Sequence, residues 1–404
     1  MIHTLTNGLR IIYEPRPGAQ VVYCGIVVAS GTRHEDADDS GMAHFIEHMT
    51  FKGTQRRRSC HITNCLERVG GDLNASTSKQ ETVYTATVLR KDIARAIDLL
   101  ADMVFYSTYP QAEIDREVEV ICDEIDSYLD SPAELIFDEF ESMLFDNHPL
   151  GRDILGQAQR LRSYTTADAQ RFAQKYYVPA NCAFYIYGDV NFNQVVRMIE
   201  RATVDVPSGT CPEKQVVPHV YVPSKREVSK QTHQAHVMLG APTFGADDDR
   251  RFAMLLLNNI LGGPGMNSRL NTTVREKAGL VYSIDSYLNT YPDCGFWNVY
   301  FGCDPKDVNR CMKLVVRELE KLMTKPLSAQ QLRAAKQQLI GQIGISCDSS
   351  EGYALALGKT FAHYGVHRDV QNICKEVEAI TPELLQKVAQ EVYDPKRLTI
   401  LIYR

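Results

Sequence analysis

The stretch Asp38-Asp39-Ser40-Gly41-Met42-Ala43-His44-Phe45-Ile46-Glu47-His48-Met49-Thr50-Phe51 combines a helical pattern with three side chains that can serve a metal site. From about Ser40 to Phe51 the spacing is helical, with acidic and capping side chains ahead of the first turn. At about 3.6 residues per turn, apolar residues collect on one side and His44, Glu47 and His48 on the other. We therefore expect a helix that packs through one face and presents a polar, reactive second face.

The polar face has the form H-x-x-E-H, with two histidines four residues apart. This spacing brings two imidazoles together one turn apart, which is a common way for a helix to give zinc two nitrogen ligands. The order is that of the inverzincins, the reverse of the H-E-x-x-H helix of metalloproteases. The alternative interpretation is a solvated polar helix face without any metal.

A catalytic zinc ion takes three protein ligands, so a third must come from another element. Residues 112–129 predict a second helix with an apolar stripe beside an acidic face that carries Glu113, Glu117 and Glu124. Glu117 and Glu124 lie about two turns apart. This face either supplies the third ligand or is an ordinary solvated acidic surface.

The 404-residue length predicts two or three domains. Residues 205–228 are rich in proline and lack helical periodicity, which indicates a linker. The two halves are alike: Ala173-Gln174-x-x-Tyr177-x-Pro179 recurs 216 residues later as Ala389-Gln390-x-x-Tyr393-x-Pro395. We predict an α+β fold of two homologous domains, 1–204 and 229–404, each a mostly antiparallel sheet packed with helices on one face.

Composition excludes several classes of protein. There are 44 Lys and Arg against 50 Asp and Glu, with no long single-sign run, which gives no electrostatic reason to expect nucleic acid. No apolar stretch approaches the ~20 residues of a membrane span.

The eleven cysteines are scattered without a C-x-x-C pair and favour a reducing compartment. We expect a bacterial cytoplasmic protein, with a mature mitochondrial matrix protein as the alternative.

The chain resembles the pitrilysin/insulinase family of zinc metallopeptidases over nearly its whole length, and within it the β subunit of mitochondrial processing peptidase and its bacterial relatives. The matching strings are His44-Phe45-Ile46-Glu47-His48-Met49-x-Phe51-Lys52-Gly53-Thr54, Gly70-Gly71-x-x-Asn74-Ala75, Arg116-Glu117-Val118 leading to Glu124-Ile125, and His148-Pro149-Leu150-Gly151. In the family a glutamate ligand follows the second histidine by about 76 residues, which selects Glu124. The resemblance implies one Zn2+ per chain on His44, His48 and Glu124, with Glu47 as the general base.

The resemblance also implies roles for residues outside the ligand set. Glu117 would orient a ligand, although a solvated glutamate is the alternative. Asn74 and Ala75 would grip substrate backbone at a sheet edge, although Asn74 also suits a turn. Arg275 and Tyr282 would bind substrate or stabilise an oxyanion; the alternative places Arg275 in a surface ion pair and Tyr282 in the core.

The second half lacks the metal motif, because the positions equivalent to His44, Glu47 and His48 fall on Phe252, Leu255 and Leu256. The resemblance implies a zinc endopeptidase that acts on peptides, either as a homodimer or as a heterodimer with a metal-free homologue. The alternative function is a non-catalytic scaffold or a peptide-binding subunit of a two-chain processing complex. Because the ligands and the base are all present in the sequence, we expect the enzyme.

Overall fold

The computed structural model describes residues 1–210, 220–230 and 232–404. Eleven strands in this part of the chain form two sheets. They are β1 Ile2–Thr4, β2 Arg10–Pro15, β3 Val21–Val28, β4 Asp72–Thr77, β5 Thr82–Leu89, β6 Cys182–Gly188, β7 Lys225–Val228, β8 Ala235–Thr243, β9 Val281–Thr290, β10 Gly295–Cys303 and β11 Thr399–Tyr403.

Fourteen α-helices lie between these strands in the described ranges. They are α1 Met42–Met49, α2 Ser59–Glu67, α3 Ile93–Tyr106, α4 Gln111–Leu129, α5 Pro132–Leu144, α6 Ala158–Leu161, α7 Thr166–Tyr176, α8 Phe192–Ala202, α9 Arg250–Gly262, α10 Val308–Thr324, α11 Ala329–Asp348, α12 Ser350–Tyr364, α13 Val370–Ala379 and α14 Pro382–Val392. None of the helices in the part of the chain that is described is long and apolar enough to cross a membrane.

The first sheet has the strand order β1-β2-β6-β3-β5-β4, so that β4 forms one edge. All pairs are antiparallel except β2 with β6. One face packs against α1, α2, α3, α7 and α8 in a single apolar core, because alternate strand residues such as Val22, Ile26 and Tyr84 point towards these helices. This core fixes α1 beside the edge hairpin formed by β4 and β5.

The opposite face of the first sheet is covered by α12, which comes from late in the chain. Ala354, Leu357 and Phe361 pack there against strand residues such as Val27 and Val83. The compact unit that contains this sheet therefore consists of residues 1–126, 152–215 and 346–368, of which 211–215 are outside the described residues.

The second sheet repeats the first. Its order is β7-β11-β8-β10-β9, which matches β2-β6-β3-β5-β4 strand for strand, including the single parallel pair at the same place. One face packs on α9, α10 and α14, and the other is covered by α5, which comes from early in the chain. This unit consists of residues 127–151, 216–345 and 369–404, with 216–219 and 231 outside the described residues.

The predicted α+β fold with two related, mostly antiparallel sheets is confirmed. The sequence analysis did not anticipate the helix that covers the second face of each sheet and comes from the other half of the chain. The domain boundaries at 204 and 229 stay a prediction, and residues 211–219 of the predicted linker lie outside the described residues.

Candidate metal centre and active site

Helix α1 is held by its apolar face, on which Met42, Phe45, Ile46 and Met49 are fully buried. The helix begins after Gly41, which has a φ of 78° and lies so close to Leu155 and Gly156 that a Cβ would contact their backbone. Only glycine suits both conditions. Gly41 therefore fixes the direction in which the chain enters α1, three residues before His44.

The N-terminus of α1 is capped by Glu35 rather than by the residues from Asp38 to Ser40. The Glu35 carboxylate accepts hydrogen bonds from the backbone N–H groups of Gly41 and Ala43, at 3.0 and 2.9 Å. Burial raises the pKa of Glu35 to about 8 in spite of these two bonds. Glu35 thus satisfies two backbone donors that the start of a helix leaves open.

His44, His48 and Glu124 form a three-residue cluster. The Nε2 atoms of His44 and His48 lie 3.8 and 3.7 Å from Oε2 of Glu124, and one ligand atom from each residue falls within 4.8 Å of the others. Two imidazoles and one carboxylate are a donor set that zinc accepts with a fourth position open. Burial, and then the charge of His48, lower the pKa of His44 to about 3, which keeps its imidazole in the neutral form that a ligand requires.

Glu117 lies beside this cluster and contacts His48. Its Oε1 is 2.9 Å from Nδ1 of His48, while its Oε2 pairs with Nζ of Lys52 at 2.5 Å. Burial alone would raise the pKa of Glu117, but the contacts with His48 and Lys52 outweigh it and hold the pKa below its ordinary value. A charged Glu117 favours the proton on Nδ1 of His48, which leaves the Nε2 lone pair facing Glu124.

Glu47 lies on the same helix face but outside the three-residue cluster. Burial raises its pKa, and a hydrogen bond from the Thr77 hydroxyl to its Oε2, at 2.6 Å, opposes the increase. Thr77 is the last residue of β4. The carboxylate of Glu47 is therefore oriented by the same edge strand that carries Asn74.

Asn74 and Ala75 lie within β4, which excludes the turn position for Asn74. Asn74 is exposed, and its Oδ1 accepts a hydrogen bond from the backbone N–H of Ala75 at 2.8 Å. Ala75 is half-buried and packs on the apolar core. Because β4 is an edge strand, its outer backbone groups are open to pairing with an extended peptide.

Arg275 and Tyr282 belong to the second compact unit, whereas the other predicted site residues belong to the first. Arg275 lies in the helical segment Asn271–Lys277, with Nη1 3.3 Å from Oδ1 of Asn271 and 3.7 Å from the carboxylate of Glu276. Tyr282 is 87% exposed at the start of β9, which excludes a core position. Phe252, Leu255 and Leu256, at the positions equivalent to the ligands and base, lie on α9 among apolar neighbours.

The sequence analysis missed Thr77, Lys52 and Glu35. Lys52 stands within the string shared with the pitrilysin/insulinase family, so its recurrence there was the available signal. Thr77 and Glu35 had no such signal, because each acts through a contact that only the folded chain creates.

Models of two families match the chain in succession. Residues 10–158 match the insulinase family, peptidase family M16, and residues 163–339 match the M16 inactive domain. An uncharacterized zinc protease of Streptomyces coelicolor is 34% identical over 96% of this chain and 86% of its own length. The uncharacterized zinc protease YmxG of Bacillus subtilis is 31% identical over 97% of this chain and 95% of its own. The chain belongs to the insulinase (M16) family of peptidases.

Solved structures show the same fold. A peptidase M16 inactive domain from Pseudomonas fluorescens has a TM-score of 0.91 at 21% identity, over 100% of this chain and 97% of that chain. A protease from Helicobacter pylori has a TM-score of 0.88 at 23% identity, over 100% of this chain and 99% of that chain. The relatives named here are bacterial, and they give no support to the mitochondrial alternative.

Proposed function

We propose that the protein is a zinc-dependent endopeptidase that hydrolyses peptides or unfolded segments. The observation that carries the proposal is the His44, His48 and Glu124 cluster with Glu47 on the same helix face and outside the ligand set. Bound zinc would lower the pKa of water towards ~7 and polarise the scissile carbonyl. The zinc protease names of the relatives support this metal, and we propose one ion per chain.

The residues around the cluster have separate tasks in this proposal. Glu47 takes a proton from the attacking water and passes it to the leaving amine, as a buried carboxylate of raised pKa can do. Glu117 is a positioning residue that acts through His48. Neither task requires a residue from the second compact unit.

Substrate binding is assigned to β4 and to two residues of the second unit. The edge of β4 near Asn74 and Ala75 pairs with an extended peptide backbone. Arg275 and Tyr282 bind substrate or stabilise the oxyanion, and the exposure of Tyr282 supports such a role. We propose a homodimer, so Arg275 and Tyr282 act either in the site of their own chain or in the site of the partner. A heterodimer with a metal-free homologue is the alternative. We propose a bacterial cytoplasmic location; the relatives, which are bacterial, support the bacterial origin.

The second candidate is a non-catalytic scaffold or peptide-binding subunit. It is favoured by the match of residues 163–339 to a domain described as inactive. That match includes α9, which carries Phe252, Leu255 and Leu256 at the positions equivalent to His44, Glu47 and His48. It therefore also fits a chain in which only the first half is active. We therefore rank it second.

The test combines zinc content with cleavage of a quenched peptide library by the wild type and by Glu47→Gln. This substitution keeps the three ligands and removes the base, so we expect about one zinc per chain in both and a loss of cleavage of about 10²–10⁴-fold in the variant. Glu113→Gln, on the acidic face of α4 but outside the cluster, is the matched control and should cleave normally. Bound zinc without cleavage of any peptide by the wild type would favour the second candidate.

A further inference from the structure

A series of hydroxyl groups leads from Glu47 into the apolar core of the first unit. Thr77 donates a hydrogen bond to Oε2 of Glu47 at 2.6 Å, and Oγ1 of Thr82 lies 3.2 Å from Oγ1 of Thr77. Deeper in the core, the hydroxyls of Tyr84 and Tyr177 lie 3.0 Å apart. Thr82 and Tyr84 are completely buried, and Tyr177 is buried as well. We call Thr77, Thr82, Tyr177 and Tyr84 the hydroxyl chain.

The phenol of Tyr177 shows that the two threonines and the two tyrosines are connected. Burial raises the pKa of Tyr177 well above its ordinary value, and hydrogen bonds with Tyr84 and with Thr82 partly oppose the increase. The charge of Glu47 raises the pKa of both tyrosines further. Tyr177 and Tyr84 therefore lie close enough to the expected base to interact with its charge.

The direction of these hydrogen bonds follows from the number of protons. Each hydroxyl carries one proton, and an ionised carboxylate carries none. Thr77 gives its proton to Glu47, so Thr82 is the donor in the contact between the two threonines. Thr82 shares its proton with the Ser30 carbonyl, also 3.2 Å away, which leaves Tyr177 as the donor to Thr82. The O–H dipoles thus point one after another towards the carboxylate, and each bond strengthens the next.

The second half of the protein shows that the fold itself does not need the hydroxyl chain. The comparison of α1 with α9, the register of the two hairpins and the repeated Ala-Gln-x-x-Tyr-x-Pro segment give the equivalent positions, where the second half has Leu255 for Glu47, Gly295 for Thr82, Trp297 for Tyr84 and Tyr393 for Tyr177.

Tyr393 packs on Trp297 with the ring centroids 4.6 Å apart, and its hydroxyl is buried without a hydrogen-bond partner among the described residues. A buried hydroxyl without a partner costs free energy, yet the second sheet and its helices pack around it. Within the described ranges, the half that lacks the base therefore also lacks the hydroxyl chain. This indicates that the chain in the first half serves Glu47.

We propose that Tyr177 is a positioning residue, which acts through Thr82 and Thr77 to hold the carboxylate of Glu47 in the orientation that proton transfer requires. The inference rests on the proposed function, in which Glu47 is the general base. Thr77 is half-buried on an edge strand, whereas Tyr177 is packed in the apolar core. The hydroxyl chain thus connects the base with the core, and a donor that is itself held restricts the carboxylate more than a free hydroxyl does.

The test compares kcat, KM and zinc content in the wild type, Tyr177→Phe, Thr77→Val and the double variant, on one peptide that the wild type cleaves. Tyr177→Phe keeps the ring and removes the hydroxyl. We expect kcat to fall about three- to tenfold and KM to change less than about twofold. Thr77→Val already breaks the chain, so adding Tyr177→Phe to it should lower kcat less than about 1.5-fold further. Zinc content should be equal in all four proteins.

Tyr393→Phe is the matched control, because it removes a buried hydroxyl from the equivalent position in the second half. We expect it to keep the wild-type kcat. Thermal unfolding shows whether each variant is folded. If Tyr177→Phe is not, Thr82→Val breaks the chain at its middle and takes its place in the same comparison.

Each result decides the proposal. Losses in Tyr177→Phe and Thr77→Val that do not multiply in the double variant, with Tyr393→Phe fully active, support it. A wild-type kcat in Tyr177→Phe, losses that multiply fully, or an equal loss in Tyr393→Phe would overturn it. If the zinc-bound wild type cleaves no peptide, the proposed endopeptidase function fails and the positioning role falls with it. If the wild type cleaves and Tyr177→Phe cleaves equally well, only the positioning role fails.

Discussion

At the scale of single residues, the contact between Thr77 and Glu47 joins the strand expected to bind the substrate with the expected general base. Thr77→Val removes the hydroxyl donor while keeping the size of the side chain. We expect kcat to fall about tenfold with KM changed less than about twofold, because the hydrogen bond orients Glu47 rather than the peptide. Steady-state kinetics on the best library peptide measure both constants.

Thr77→Ser is the control for this contact, since it retains a hydroxyl and should keep most of the activity. Equal losses in Thr77→Ser and Thr77→Val, or an effect on KM alone, would contradict the role of the hydroxyl. Zinc content should be the same in all three proteins, because Thr77 is outside the metal cluster.

The sequence predicted that His44, His48 and Glu124 lie together, but it predicted little of what surrounds them. His44 and His48 share a helix face by local spacing, so periodicity alone placed them together. The choice of Glu124 as the third ligand required the family resemblance, because the spacing within one helix suits Glu117 and Glu124 equally well. Thr77 contacts Glu47, which lies 30 residues earlier in the chain. Such a contact depends on how β4 is positioned beside α1, and no local sequence pattern encodes that position.

At the scale of secondary-structure elements, an ion cluster fastens α12 to the first sheet. Glu81, just before β5, is 2.7 Å from Nε2 of His363 and 2.9 Å from Nζ of Lys359, both on α12. Burial by itself would raise the pKa of Glu81, but these two partners outweigh it and lower the pKa to about 2. The ionised form of Glu81 is therefore favoured by folding.

Because the folded pKa of Glu81 is depressed, its contribution to stability is present above its ordinary pKa of about 4.5 and is lost as pH falls to about 2. The full contribution is on the order of 3 kcal/mol. We expect urea unfolding to show wild type more stable than Glu81→Gln at pH 7, with the difference shrinking between pH 4.5 and 2. A difference that is constant over this range would show that the charge of Glu81 contributes nothing.

At the scale of the whole molecule, each sheet needs a helix from the other half of the chain. A fragment of residues 1–228 lacks α12, so the face that carries Val27, Val83 and Tyr185 would be exposed. We expect this fragment to bind a hydrophobic dye and to aggregate, and we expect fusion of residues 346–368 through a flexible linker to reduce both. Light scattering and dye fluorescence measure the two effects. A monomeric 1–228 fragment with wild-type thermal stability would show that α12 is dispensable.

The sequence revealed the duplication but not this exchange of helices. The repeated Ala-Gln-x-x-Tyr-x-Pro segments and the two hairpins reflect local patterns that each half carries by itself. The partner of an apolar helix face, by contrast, is decided by packing. Ala354 and Leu357 meet Ile12 and Val27 across more than 300 residues, and periodicity cannot indicate which sheet they cover.

The late position of α12 also sets the order of events during synthesis. Strand β6 completes the first sheet at Gly188, but α12 begins only at Ser350, about 160 residues later. At ~5–20 residues per second, the ribosome takes on the order of 10–30 s to make that interval. During this time the nascent first sheet has one apolar face without its helix, which makes the growing chain a natural client for chaperones at the ribosome.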